Sequence, residues 1–264
     1  MTDLLCDIQS FMKKSYFLAI SILALFTMAS CSIDEDANKN SALGVKDEQS
    51  TDPETNGDVD SEEGNSQAEA SATYKITFIG EWTDESHPNA FPNNAHFSNT
   101  VLFTHNDAVR LYTLNMLASK GIEDMSEIGD NTAITEEMQQ MINDGNANSF
   151  IVGPGSISGN GTDELMIEAT QANSKLSYVA MIAPSPDWFT GLSAIALFEN
   201  DTWAERIELD VVAYDAGTEE GDEFRFDNPE TSPQNLITRI TEAPLGNGTT
   251  VAPRLGRLVI ELQQ

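Results

Sequence analysis

The chain has 264 residues, with 43 Asp or Glu against 13 Lys or Arg, for a formal net charge of −30. A field of that sign repels nucleic acid and anionic lipid surfaces, so nucleic-acid binding is disfavoured from the outset. The two cysteines, Cys6 and Cys31, both precede the region with folding patterns, which leaves that region without a disulfide framework, a thiolate metal site or a cysteine nucleophile.

From Met12 the sequence reads MKKSYFLAISILALFTMASCS, with Lys13 and Lys14 ahead of an apolar run from Tyr16 to Met28. The run is too short to span a bilayer comfortably and small residues follow it. This segment resembles a bacterial lipoprotein signal peptide with MASC as its lipobox, although Met28 stands where Leu is commoner. The resemblance implies residues 1–31 as signal, Met12 as the functional start, and Cys31 as the diacylglycerylated first residue of the mature chain. More than one acyl chain is needed for stable anchoring, and lipoprotein processing supplies it. The SIDEDA stretch after Cys31 is similar to the surface-export signal of Bacteroidetes lipoproteins, which implies an outer membrane lipoprotein exposed at the cell surface.

Residues 32–72 are acidic and polar with few large apolar side chains. Such a segment cannot bury enough surface to offset its ordering entropy, and like charges extend it, so a disordered linker is expected. It contains no D-x-[DN]-x-[DN]-G calcium loop.

The pattern changes at Thr73, where TYKITFIGEW alternates apolar and polar residues. Further strands are expected at 98–105, 164–171, 175–183, 193–199, 206–214 and 256–263, with Gly, Asn, Pro and Ser between them. Helical signals are few: Ser119 can cap a segment through ASKGIEDMSEIG, and Thr135 can cap TEEMQQMIND. Many short strands and one or two short helices over 73–264 predict an all-β fold, an antiparallel β-sandwich. The stretch SPDWFTGLS (185–193) reads as a loop pinned by Trp188, with the Asp187 carboxylate aimed at water or at a cation.

Four motifs, GEWTDESHPNAFPNNAHFS (80–98), ASKGIEDMSEIG (118–129), APSPDWFTGLSAIAL (183–197) and YDAGTEEGDEF (214–224), follow one another in this order. Together they resemble the spondin N-terminal domain of the F-spondin and mindin type, over roughly Tyr74 to Ile240. The resemblance implies a C2-like β-sandwich with a calcium ion at one end, ligated by Asp187, Asp215 and Glu219. Glu219 departs from the family, which usually carries Asp there, and Tyr214 stands where Trp is common. The family's extracellular members work in matrix and cell-surface recognition, not catalysis.

Carboxylates converging from two loops suit a hard cation that takes several oxygen ligands. Asp187 and Asp215 are both expected at strand ends, and Gly217 would let Glu219 fold back towards Asp215. The alternative for each aspartate is a simple turn residue.

Other constellations are weaker. His87, His96 and His105 suggest zinc by residue type, but they fall in loops and at strand edges, where ordinary hydrogen bonding serves. A triad could be drawn from His105, Asp107 and a serine, yet no nucleophile elbow accompanies it. GPGSISGNG (153–161) lacks the ending of a phosphate loop and reads as a connector. Trp82, Trp188 and Trp203 read as core or loop anchors.

The expectation is therefore a calcium-binding recognition module rather than an enzyme, tethered to the membrane through Cys31, whose partner is an extracellular protein or glycan. The rival is a metal-assisted extracellular hydrolase using Asp187 and Asp215 around an open coordination position.

Overall fold

The computed structural model describes residues 70–249 and 253–263. The signal segment, Cys31 and most of the expected linker lie outside the described residues. The elements are, in order, β1 (Ser71–Gly80), β2 (His96–Phe97), β3 (Val101–His105), α1 (Lys120–Ile128), α2 (Thr132–Asn143), β4 (Ala147–Val152), β5 (Ile157–Ser158), β6 (Thr162–Thr170), β7 (Lys175–Ala183), β8 (Trp188–Ala196), β9 (Phe198–Glu199), β10 (Thr202–Trp203), β11 (Arg206–Asp215), β12 (Thr238–Arg239) and β13 (Gly256–Gln263).

The main sheet runs β4-β3-β7-β8-β11-β13-β1-β6, with every pairing antiparallel. It folds over into a sandwich that is nearly a barrel. The seam between β4 and β6 is closed by side chains instead of a backbone ladder. The Glu168 carbonyl accepts from Thr104 Oγ1 at 2.8 Å, Ser149 Oγ at 2.9 Å and Asn148 Nδ2 at 3.1 Å. β1 begins at Ser71, two residues before the expected onset of the domain.

Period-two alternation assigns the faces. In β1, Tyr74, Ile76 and Phe78 point inward, and in β7, Leu176, Tyr178, Ala180 and Ile182 do the same, joining one interior cluster with Trp82, Phe97 and Leu258. The odd positions of β3 and β7, among them Val101, Phe103, Val179 and Met181, face a second cluster under the helices. Both faces of these strands are thus covered, which is why they are buried nearly throughout. Each fully buried side chain of this size contributes about 1.5–3 kcal/mol before ordering costs.

The helices form the outer layer of that second cluster through Ile122, Met125, Ile134 and Met138. Ser119 caps α1 by accepting from the Ile122 N–H, and Gly129 ends it at φ 69°. α2 starts four residues earlier than a cap at Thr135 implies, with Asn131 at the N-cap position. Asp130 accepts from the Thr132 N–H at 2.8 Å and the Thr132 hydroxyl at 2.7 Å, doing the work expected of Thr135. Gly121 sits so close to Ile134 that a Cβ would lie 2.6 Å from its Cα, and Glu137 holds the crossing by accepting from Gly121 N and Ser119 Oγ.

Two further differences bear on the site. β4 forms from ANSFIV, a segment whose half-buried pattern gave no strand signal. β8 starts at Trp188, five residues before the strand expected at 193, so WFTGL is strand and not loop. Gly191 makes this possible, because a Cβ there would lie 2.9 Å from the Tyr178 carbonyl and 3.0 Å from the Tyr112 ring.

Candidate metal centre

The antiparallel register of β8 and β11 pairs Trp188 with Asp215, and the Ala216 N–H donates to the Asp187 carbonyl at 3.2 Å on the next rung. Asp187, just ahead of β8, and Asp215, closing β11, are therefore neighbours by strand pairing. The turn feeding Asp187 is held by Ser185, whose hydroxyl donates to the Ile182 carbonyl and accepts from the Trp188 N–H.

Asp187 is fully buried. Its Oδ2 accepts from the Thr218 N–H at 2.6 Å, the Glu219 N–H at 3.1 Å and the Thr218 hydroxyl at 3.2 Å. Its Oδ1 is also buried and has no hydrogen-bond partner. Oδ2 is thus capped by the 218–219 backbone, whereas Oδ1 is buried with no donor aimed at it. Buried carboxylate oxygens without a partner are costly, so such an atom calls for an explanation.

The turn that supplies these donors depends on Gly217, at φ 77°, where a Cβ would lie 2.6 Å from the Asn235 carbonyl oxygen. Asp215 Oδ1 accepts from the Gly217 N–H at 2.8 Å, tying the same turn from below. The loop beyond it covers the site: Gly221 packs on Pro186, and the Phe224 ring meets Trp188 and Trp82 at 5.5 and 5.6 Å.

The electrostatics follow from this burial. Burial pushes the Asp187 carboxyl up, against the pull of the N–H donors from 217–219. Burial and then the Asp187 charge push Asp215 up to about 6. The Trp188 indole opposes this rise, although its N–H makes no well-formed hydrogen bond. Glu219 is also pushed up to about 6, by burial and then by Glu127. Glu127 itself is raised by burial, with the Thr218 side chain opposing the rise. Among the described residues, no Lys or Arg forms a salt bridge with any of these four acids.

The three sequence-derived residues are therefore not equivalent. Asp187 and Asp215 stand together. Glu219 gives its backbone N–H to Asp187, while its carboxylate is raised by burial and then Glu127, with the Asn228 side chain opposing. Glu127, from α1, and Thr218 were not singled out by sequence; the motif ASKGIEDMSEIG carried Glu127, but only the packing of α1 brings it to the 217–219 turn.

The donor set is oxygen only, which suits a hard cation. Among the described residues no three His, Cys, Asp or Glu side chains stand close enough to make a ready-built metal cage. An ion held by Asp187 Oδ1 and Asp215 would complete its shell with backbone carbonyls or water, as calcium commonly does.

The other candidates separate. His105 Nε2 lies 2.8 Å from Ser177 Oγ, with Nδ1 on the Asn106 carbonyl at 2.7 Å. This is a Ser–His pair by geometry. Both residues are fully buried, and Ser177 Oγ also accepts from the Ala194 N–H, so the pair bridges strands. His87 is buried on Ser86, and His96 bonds the Asn94 carbonyl. All three tryptophans are buried, leaving none as a sugar-stacking platform.

Fold and site together define a class: an antiparallel β-sandwich with a helical outer layer and a pole where backbone donors hold one buried and one half-buried carboxylate. A family model described as Spondin_N matches residues 72–248, and the chain belongs to that family. Among curated relatives, Spondin-2 of Homo sapiens is 33% identical over 183 residues, covering 67% of this chain and 54% of the relative. Spondin-2 of Rattus norvegicus is 32% identical over 174 residues, covering 64% and 53%. Spondin-1 of Mus musculus is 29% identical over 178 residues, covering 64% of this chain and 22% of the relative. The matched region thus spans about half of the Spondin-2 chains and a smaller part of Spondin-1.

Proposed function

We propose that this chain is an extracellular recognition module, tethered to the outer membrane through lipid on Cys31, whose pole at Asp187 and Asp215 binds calcium. The observation that carries the reading is the fully buried Asp187 with one oxygen saturated by three donors and the other unpartnered beside a second carboxylate. Bound calcium would neutralise charges that now repel one another and would rigidify the 215–219 turn. Asp187 and Asp215 would hold it, with the carboxylates of Glu219 and Glu127 near enough to add to its field.

Membership of the Spondin_N family supports a binding role, because the spondins it resembles are recognition proteins. Hydrolysis at the same pole is the weaker reading: Asp187 is fully buried, and a substrate would have to displace the 217–230 loop to reach it. An extracellular protein or glycan is the partner class, and the stalk expected at 32–72 would hold the module clear of the membrane.

Calcium titration of the purified domain tests the metal. Binding to the folded state alone raises Tm with concentration. A melting curve that does not move at millimolar calcium removes the reading. Turnover of a glycan or peptide substrate, lost in Asp215→Ala with folding intact, would favour the hydrolase.

A further inference from the structure

Large apolar side chains are exposed at seven places among the described residues: Leu114, Met116, Leu117, Ile128, Met166, Phe226 and Leu236. Six of them lie on segments that meet at the 217–218 turn. The Asn235 N–H donates to the Gly217 carbonyl at 2.8 Å, which sets Leu236 beside the turn. Ile237 and the 115–116 segment exchange bonds, Asn115 N–H to the Ile237 carbonyl at 3.0 Å and Ile237 N–H to the Met116 carbonyl at 2.8 Å. Leu114, Met116, Leu117 and Leu236 therefore ride on one hydrogen-bonded bridge. Ile128 follows Glu127 on α1, and Phe226 lies in the loop that covers Pro186. Met166, on the outer face of β6, is the exception.

Solvent-exposed Leu and Met gathered at one place cost solubility unless something covers them. Their surroundings say what kind of surface would. Residues 215–230 carry seven carboxylates and one arginine, Arg225. Of the cations on neighbouring elements, Arg239 stands exposed on β12 opposite Tyr214, and Lys120 is already paired with Glu123 and Asp124 at 2.7 Å each. An anionic membrane would be repelled by this run of carboxylates, and a neutral glycan offers it no cation.

We propose that this pole is a docking surface for a basic amphipathic segment of another protein, with its apolar side chains seated on Leu114, Met116, Leu117 and Leu236 and its lysines or arginines meeting the exposed carboxylates of residues 220–230. The proposal rests on the reading of the chain as a recognition module and names its partner class. Apolar anchors ringed by complementary charge are the arrangement that gives an interface both affinity and orientation.

The test uses the calcium-loaded domain and three synthetic peptides: leucine/lysine amphipathic, the same charge with serine for leucine, and leucine/glutamate. Fluorescence anisotropy at physiological salt is the readout, with phosphatidylcholine vesicles as the lipid comparison. The leucine/lysine peptide binds, and the other two and the vesicles do not. Met116→Ser, Leu117→Ser and Leu236→Ser combined weaken it by about tenfold or more, while Met166→Ser leaves it unchanged. Equal binding of the serine/lysine peptide would reduce the effect to net charge and overturn the proposal. So would an unaffected triple variant, vesicle binding that the same variant abolishes, or no peptide binding. The calcium shift in Tm, measured on parent and triple variant, keeps the two readings apart: its absence in both defeats the metal reading, and the peptide data alone decide the surface.

Discussion

Carboxylates occupy two contrasting regions of this domain. On the outer face of β1, β11 and β13, Glu81 accepts from Arg254 and Arg257, Arg257 reaches Glu208 at 2.6 Å, and Arg254 reaches Asp210 at 3.0 Å. There Glu208 is held below its ordinary range, first by Arg206 and then by Arg257. At the pole, Asp187, Asp215, Glu219 and Glu127 are all pushed the other way, by burial first, with the Asp187 charge adding to the rise at Asp215 and Glu127 to that at Glu219. The same side-chain type meets guanidinium and water in one place, and dry backbone donors in the other. The face is electrostatically complete. At the pole, among the described residues, no Lys or Arg forms a salt bridge with the acids.

The largest break in this comparison is at Asp187. Asp187→Ala leaves the N–H groups of Thr218 and Glu219 and the Thr218 hydroxyl unpaired, and should destabilise the domain by about 2–5 kcal/mol in chelator, read by denaturant unfolding. Asp187→Asn keeps an acceptor for those donors and costs less, but abolishes the calcium shift in Tm. An alanine variant as stable as the parent would mean that the pole behaves like an exposed surface.

The pH dependence sharpens the comparison. Asp215 and Glu219, at about 6 when folded, sit above their unfolded values. The metal-free folded state therefore holds more protons than the unfolded one, and the stability that these groups contribute at low pH is lost as pH rises through about 6. Calcium needs the charged forms, so the rise in Tm that it produces should be full near pH 7.5 and shrink as pH falls through about 6. Comparing melts with and without calcium at each pH cancels the opposing titration of buried histidines. An increment that stays constant down to about pH 5 contradicts the assignment of Asp215.

A smaller effect is expected at Glu127. Glu127→Gln removes a charge beside Thr218 and Glu219 without touching the fully buried acid, and should weaken calcium by about tenfold, measured by calorimetry. The smallest belongs to the face: Arg254→Ala should move Tm by about 2 °C or less, with the change fading as salt is added. A larger shift there than at Glu127 would invert the comparison.

Much of this was legible beforehand, element by element. β1, β7, β11 and β13 announced themselves by alternation or by apolar runs of strand length, and α1 by its Ser119 cap. β4 was not legible, because its pattern is half-buried and Phe150 packs outward under the helices. The start of β8 was hidden because Asp, Pro and Gly read as loop, while pairing with β11 overrides that preference. Asp187 and Asp215 could be picked out by motif. The role of Thr218 as donor, the opposing pull of Asn228 on the Glu219 carboxylate, and the arrival of Glu127 all depend on a helix layer that no local pattern positions.

The amino-acid order by itself determined the strand and helix faces, the acidity, the family and the two aspartates, because each of these rests on side-chain chemistry read over a few neighbouring residues. Only the tertiary structure decided that Asp187 is sealed from water with one oxygen unpartnered, and that six exposed apolar side chains ride on segments converging at the same turn. Both depend on which distant segments share hydrogen bonds, Ala216 with Asp187 and Ile237 with Met116, and such pairing is set by the packing of the whole core.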